Sequence, residues 1–194
     1  MLIDVLDLIR LKQRSMPNTP KEIANTMQTN LIKGNQIADN PWQLIEKTAE
    51  FAVDTISDSD YVLLPLTVWL SGIEQVKNKN NIGVWLDSDE SAEPLAEHCQ
   101  SLSLIAINFP VFSDGRGYSY ARSLRDYYGY EGELRAIGDV LRDQLFFYQR
   151  CGFNSYLLRE DQDATKAIDG LNDFSAVYQV GSDSNVPVFR RRSN

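Results

Sequence analysis

Three arginines and a tyrosine stand where two apolar runs hand over to polar, helix-like segments. The first junction reads "FPVFSDGRGYSYARSLR", Phe109 to Arg125, and the second reads "GDVLRDQLFF", Gly138 to Phe147. Asp114-Gly115 and Gly117 suit a tight turn, Ser119 suits the cap of a following helix, and Asp139 suits the cap of the next one. With those caps, Arg122 and Arg142 each fall at the third helical position. A cation in a first turn opposes the helix dipole by about 0.3–1 kcal/mol, so both junctions call for a compensating partner. One candidate is an oxyanion or phosphate held by Arg116, Tyr118, Ser119, Arg122 and Arg142, with helix-start N–H groups and planar guanidinium donors around it. The other is an internal network in which Asp114, Asp139 and Asp143 neutralise the three arginines. The same set would allow a carboxylate to act as acid or base, with Tyr118 as proton donor.

Other chemistry is poorly provided for. Cys99 and Cys151 are the only cysteines and His98 the only histidine, so four-thiolate clusters, zinc signatures and histidine-based metal sites have too few ligands, and no metal is expected. The sequence contains no Walker loop, dinucleotide fingerprint or nucleophile elbow, and no cofactor is expected. A net charge of −8 repels nucleic acid and anionic membranes, which excludes both as partners. The basic run "FRRRSN", Phe189 to Asn194, reads as a solvated tail. The stretch "MLIDVLDLIRLKQR" carries Asp4 and Asp7 inside its apolar part and reads as neither signal peptide nor span, which gives a cytoplasmic expectation. The aromatic run "LFFYQRCGF", Leu145 to Phe153, reads as core or subunit interface, which makes a homo-oligomer a candidate state; Trp42, Trp69 and Trp85 read as core.

The elements that would position these residues follow from periodicity. Apolar runs "YVLLPL", "IGVWLD", "LSLIAINF", "GELRAIG" and "NSYLLRE" alternate with helical patterns near residues 68–77, 92–102, 120–128, 140–151 and 164–178. Continuous rather than alternating apolar strands indicate burial on both faces, as in a parallel sheet covered by helices. The expected fold is α/β, with about five βα units and a mainly parallel sheet, either an open doubly wound sheet or an incomplete TIM-like barrel. Appended to it are N-terminal helices (residues 2–13, and one capped by Thr19 with Pro20), a small β-hairpin around Gly34-Asn35, and a helix from Pro41-Trp42 to about Val53. The expected organisation is a helical extension over 1–30, one α/β domain over 31–180 and a C-terminal tail over 181–194. Ligand sites in such sheets gather beyond the carboxyl ends of the strands, where both junctions lie.

The whole stretch from "FPVFSDGRGYSYARSLRDYYGYEGELRAIGDV" through "LRDQLFFYQRCGF", Phe109 to Phe153, resembles the signature core of the bacterial domain-of-unknown-function family numbered 934. Weaker similarity in "LIKGNQIADNPW", "VLLPLTVWL" and "IGVWLDSDE" extends the resemblance over Leu31 to Tyr178. The resemblance implies a role in assimilatory sulfate and sulfite reduction, and so in cysteine biosynthesis, beside a sulfite reductase hemoprotein. It also carries the label of a probable oxidoreductase. Six-electron reduction of sulfite needs redox cofactors, for which this chain shows no motif, so the label assigns no catalysis. The resemblance then implies an accessory protein acting with the hemoprotein. The alternative is a small enzyme or sensor that binds an oxyanion or phosphorylated metabolite at the strand ends.

Overall fold

The computed structural model describes residues 30–47, 56–57, 59–76, 80–174 and 178–182. The expected N-terminal helices, most of the tail and residues 48–53 of the expected third helix lie outside them. The described strands are β1 (Leu31–Lys33), β2 (Gln36–Ala38), β3 (Gln43–Leu44), β4 (Val62–Pro65), β5 (Ile82–Leu86), β6 (Leu104–Phe109), β7 (Glu133–Gly138) and β8 (Ser155–Leu157). They form one sheet in the order β2-β1-β8-β7-β6-β5-β4-β3. Strands β3 to β8 run parallel, and the β1–β2 hairpin adds antiparallel to β8. Gly34 turns that hairpin with φ of +57°, a conformation open to glycine.

Parallel neighbours follow chain order with no reversal, which is the arrangement of a barrel rather than of a doubly wound sheet. Right-handed crossovers between such neighbours place all the helices on one face. The sheet also has to curl. Eight strands laid flat would separate their edges by about 34 Å. Yet β2 and β3, the two edges, are joined by residues 39–42 alone, a connection that reaches at most about 18 Å. The sheet is therefore an incomplete barrel whose edges are drawn together by this short segment.

The outer face carries Val62, Leu64, Val84, Leu86, Ile105, Ile107, Leu134, Ala136 and Tyr156, which pack with the helices into the main core. The inner face carries Leu63, Trp85, Leu104, Ala106 and Ile137, and Trp42 from the crossing segment packs onto them. Trp42 explains why the helix expected from Pro41 does not start there. Its ring fills the concave face, and the following backbone joins the sheet instead, with Gln43 N donating to Tyr61 O (2.8 Å) and Ile45 N to Leu63 O (3.0 Å). The Trp85 indole fixes the same segment by donating to Ile45 O at 2.9 Å.

One ionic group lies on this inner face. Arg135 is 2% exposed and donates through Nε and Nη2 to Glu133 Oε1 (3.1 and 2.6 Å), through Nε to Ser155 Oγ (3.2 Å) and through Nη1 to Asn40 Oδ1 (2.8 Å). Asn40 Oδ1 also accepts from Trp42 N at 3.3 Å, so the arginine in the middle of the sheet pins the crossing segment. Lys33 holds the other Glu133 oxygen at 2.7 Å.

The helices are shorter than their periodicity suggests. Among the described residues they are α1 (Leu66–Ser71), α2 (Ile73–Val76), α3 (Arg116–Arg122), α4 (Leu145–Arg150) and α5 (Ala164–Ala167). The helix expected over 92–102 is two 3-10 turns, Glu93–Leu95 and Cys99–Ser101, the first carrying Pro94. A π turn, Ser123–Tyr127, extends α3, while 3-10 turns Arg142–Gln144 and Ile168–Asn172 precede α4 and follow α5.

Candidate functional site at the strand ends

The first junction differs from the sequence expectation in its helix boundary. Gly115, not Ser119, is the N-cap, and α3 begins at Arg116. Asp114 organises that start, because its Oδ1 accepts from Arg116 N at 3.2 Å. Its carboxylate also takes the Arg116 guanidinium at both oxygens (Nε–Oδ1 3.0 Å, Nη2–Oδ2 2.7 Å). These bonds hold the Asp114 carboxyl far below its usual range, against the opposing effect of burial. Arg116 Nη2 reaches on to Ser88 Oγ at 3.0 Å and ties the loop after β5 to the loop after β6.

Ser119 is an exposed residue inside α3, and Arg122 is its last residue. The helical stretch continues through Tyr127, so Arg122 lies beyond the first turn, where the helix dipole no longer opposes a cation. The conflict expected at this junction is absent, and Arg122 Nε pairs with Asp126 Oδ2 at 2.7 Å along the helix. At the second junction, Arg142 opens the 3-10 turn and pairs with Asp173 Oδ1 at 2.9 Å. Asp139 caps no helix. It accepts from Phe112 N (2.9 Å) and from Arg159 Nη1 (2.6 Å), and Arg159 is also held by Asp161. The open position beside the 3-10 turn is taken by Gln144, whose Oε1 accepts from Leu141 N at 3.3 Å. Asp143 is exposed and lines a groove beside α4.

Tyr118 is half-buried among Phe109, Phe147 and Tyr148, with ring centroids 5.1, 4.7 and 5.1 Å away. Its hydroxyl accepts from Gln144 Nε2 at 3.4 Å, and burial pushes its pKa up, so it stays protonated at neutral pH. The five candidate ligand residues are thus not gathered into one cation-rich pocket. Each arginine among them faces a carboxylate of its own.

Sequence reasoning passed over the residues that line the inner rim itself. Asp87 ends the run "WLD", Asn108 belongs to the inner-face set of β6 with Leu104 and Ala106, and Lys47 follows β3. Asp87 accepts from Asn108 Nδ2 (3.0 Å), Ser88 N (2.9 Å) and Lys47 Nζ (3.1 Å). Burial alone would raise its pKa, but these donors hold it below the ordinary carboxylate value. Lys47 is raised above its ordinary value, because Asp87 and Glu90 outweigh the effect of burial. Glu90 closes the ring, taking Lys47 at 3.2 Å and Asp87 N at 2.8 Å. Strand-end position and inner-face parity were both readable; the lysine, from a distant segment, was not. Gly138 makes room for this arrangement: with φ of +93°, it would place a Cβ 2.5 Å from both Asn108 Oδ1 and Phe109 O.

The rim is therefore a chain of ion pairs and hydrogen bonds linking the loops after β3, β5, β6, β7 and β8. Among the described residues, no group of three or more His, Cys, Asp and Glu side chains is placed to hold a metal ion, and no helix is long and apolar enough to cross a membrane.

Fold and rim together define a small protein of the incomplete parallel β/α-barrel class, with its strand-end mouth laced by its own charges. Residues 83–189, more than half of the chain, match the family described as "Bacterial protein of unknown function (DUF934)", and the chain belongs to that family. No protein with a curated description matches it.

Proposed function

We propose that the protein is an accessory protein of assimilatory sulfite reduction, acting in the cytoplasm with the sulfite reductase hemoprotein rather than carrying a redox centre. The pathway rests on the family resemblance. The choice of an accessory over a ligand-binding role rests on one observation: Arg116, Arg122, Arg142 and Arg159 each hold a carboxylate of the same chain. An oxyanion entering the mouth would have to displace Asp114, Asp173 or Asp139 from its partner. That exchange replaces one charged hydrogen bond by another and gains little. In this reading the α/β domain over 31–180 presents its outer surface to a partner.

Deletion of the gene, with growth scored on sulfate, sulfite, sulfide and cysteine, tests the pathway. Growth restored by sulfide and cysteine but not by sulfite is expected. Growth restored by sulfite, or unimpaired growth on sulfate, overturns the reading. Co-purification with the hemoprotein from the same cells tests the accessory role, and absence of any complex under assembly and turnover conditions refutes it.

A further inference from the structure

The sequence contains two Asp-Gly pairs, Asp114-Gly115 and Asp169-Gly170. Such a pair is chemically weak, because glycine has no Cβ to shield its backbone nitrogen from the carboxyl group before it. The nitrogen attacks the aspartyl Cγ, and a carboxyl oxygen leaves as water together with the amide proton, closing a succinimide ring. Water then reopens the ring. Cleavage at Cγ restores aspartate, whereas cleavage at the main-chain carbonyl gives isoaspartate, equal in mass but with one more methylene in the main chain. The two pairs are placed differently. Gly170 is buried in the 3-10 turn Ile168–Asn172, where a Cβ would lie 2.6 Å from Arg142 O, so its backbone is packed too tightly to close a ring. Gly115 is exposed, and its N–H donates to nothing among the described residues. A Cβ on it would meet only Tyr118 Cδ2, at 3.9 Å.

The nucleophile at the first junction is therefore open, and the obstacle lies in the carboxyl group. Asp114 Oδ1 accepts from Arg116 N (3.2 Å) and Nε (3.0 Å), Oδ2 accepts from Arg116 Nη2 (2.7 Å), and the side chain is 9% exposed. A carboxylate is a poor electrophile. Ring closure runs through the protonated acid, whose hydroxyl departs as water, and a guanidinium on both oxygens favours the ionised form. It also holds the oxygen that has to leave. We propose that Asp114-Gly115 is a latent site of isoaspartate formation, and that Arg116 suppresses the reaction by binding both carboxyl oxygens. Conversion would break the Asp114 Oδ1 bond to Arg116 N at the start of α3 and loosen the Arg116–Ser88 contact between the loops after β5 and β6. The inference uses this junction alone and stands independently of the accessory reading.

Prolonged incubation of the full chain at physiological temperature and neutral pH tests the proposal. Peptide mapping by liquid chromatography and mass spectrometry separates isoaspartyl from aspartyl peptides of equal mass, and the guanidinium-unfolded chain serves as the reference. The unfolded chain is expected to convert at both Asp114 and Asp169, and the folded wild type far more slowly at each. Arg116→Gln is expected to convert at Asp114 at least about tenfold faster than the wild type, the effect of losing one charged hydrogen-bonding partner. Conversion at Asp169 should not change. Arg116→Lys keeps the charge without the two-pronged contact and should fall between. Adding Gly115→Ala to Arg116→Gln should slow the reaction again, because the methyl shields the nitrogen and φ of −91° suits alanine. Circular dichroism and thermal melting confirm that each variant is folded. A folded wild type that converts at Asp114 as fast as the unfolded chain overturns the proposal. So does a folded Arg116→Gln variant no faster than the wild type, or one whose gain is equal at Asp169.

Discussion

Replacing Arg135 with methionine removes the charge at the centre of the inner face while keeping most of the volume. The guanidinium makes two bonds to Glu133 Oε1, one to Ser155 Oγ and one to Asn40 Oδ1. Removing one partner of a buried pair costs about 3–5 kcal/mol, because the other charge is left in a low-dielectric site. Lys33 still holds Glu133 at 2.7 Å, and Asn40 Oδ1 keeps Trp42 N, so the expected loss sits at the lower end, about 3 kcal/mol. Urea unfolding followed by fluorescence measures it directly, since Trp42 and Trp85 lie in the same inner cluster. Adding Glu133→Gln should return more than half of the loss, as the stranded carboxylate disappears. The effect also has a pH signature. Burial works to raise the Glu133 pKa, but Arg135, Lys33 and Ser155 hold it below its ordinary value. The stability this contributes is complete above the ordinary carboxylate pKa near 4.3 and is lost as pH falls through the lowered folded value. Without Arg135, burial dominates and the Glu133 pKa rises, so the gap between wild type and variant should narrow toward acid pH. A loss under about 1 kcal/mol, or one unaffected by Glu133→Gln and by pH, refutes the ionic account of the inner face.

Three further outcomes are expected. Gly138→Ala should lose at least about 2 kcal/mol in urea unfolding, because a positive φ and contacts at 2.5 Å to Asn108 Oδ1 and Phe109 O leave no room for Cβ. Trp85→Phe should lose about 1–3 kcal/mol by orphaning the Ile45 carbonyl that the indole N–H satisfies at 2.9 Å. In thermal melts, millimolar sulfite, sulfate, phosphate or adenylylated nucleotides should shift the midpoint by no more than about 1 °C. Saturation at a hundred times Kd would add about 2.7 kcal/mol, or roughly 5–10 °C for a chain of this size, and a shift of that order would restore the anion-binding alternative.

What could be read from the sequence, and what could not, follows from the range of the forces involved. The five parallel strands were visible because burial on both faces writes a continuous apolar run, and the hairpin because Gly34 suits a position with φ of +57°. Their barrel-like order was not, since order depends on crossovers between distant segments. The helix start at the first junction was misplaced by one turn. Ser119 has the chemistry of a cap, but Asp114 and Gly115 had already begun the helix. That one turn moves Arg122 out of the first turn, and so removes the conflict with the helix dipole. Glu133 and Arg135 offered a signal left unused: an acid and a base two residues apart on a strand share one face, and a strand buried on both sides leaves them only each other.

These placements bear jointly on where a function can reside. A barrel of this class ordinarily offers its strand-end mouth to a ligand, above an interior packed with side chains. Here Trp42 and Trp85 fill the inner face, Arg135 and Asn40 pin the segment that carries Trp42, and Lys47, Asp87, Asn108 and Glu90 bind one another across the rim. Opening that rim would expose an ionised carboxylate whose three donors are all internal, and removal of any one costs about 1–3 kcal/mol. The outer surface carries no such penalty. The exposed aromatics Phe147 and Phe174 there gain by being covered, at roughly 25 cal/mol for each Å² of apolar area removed from water. The cost of admitting a ligand is thus concentrated at the strand ends.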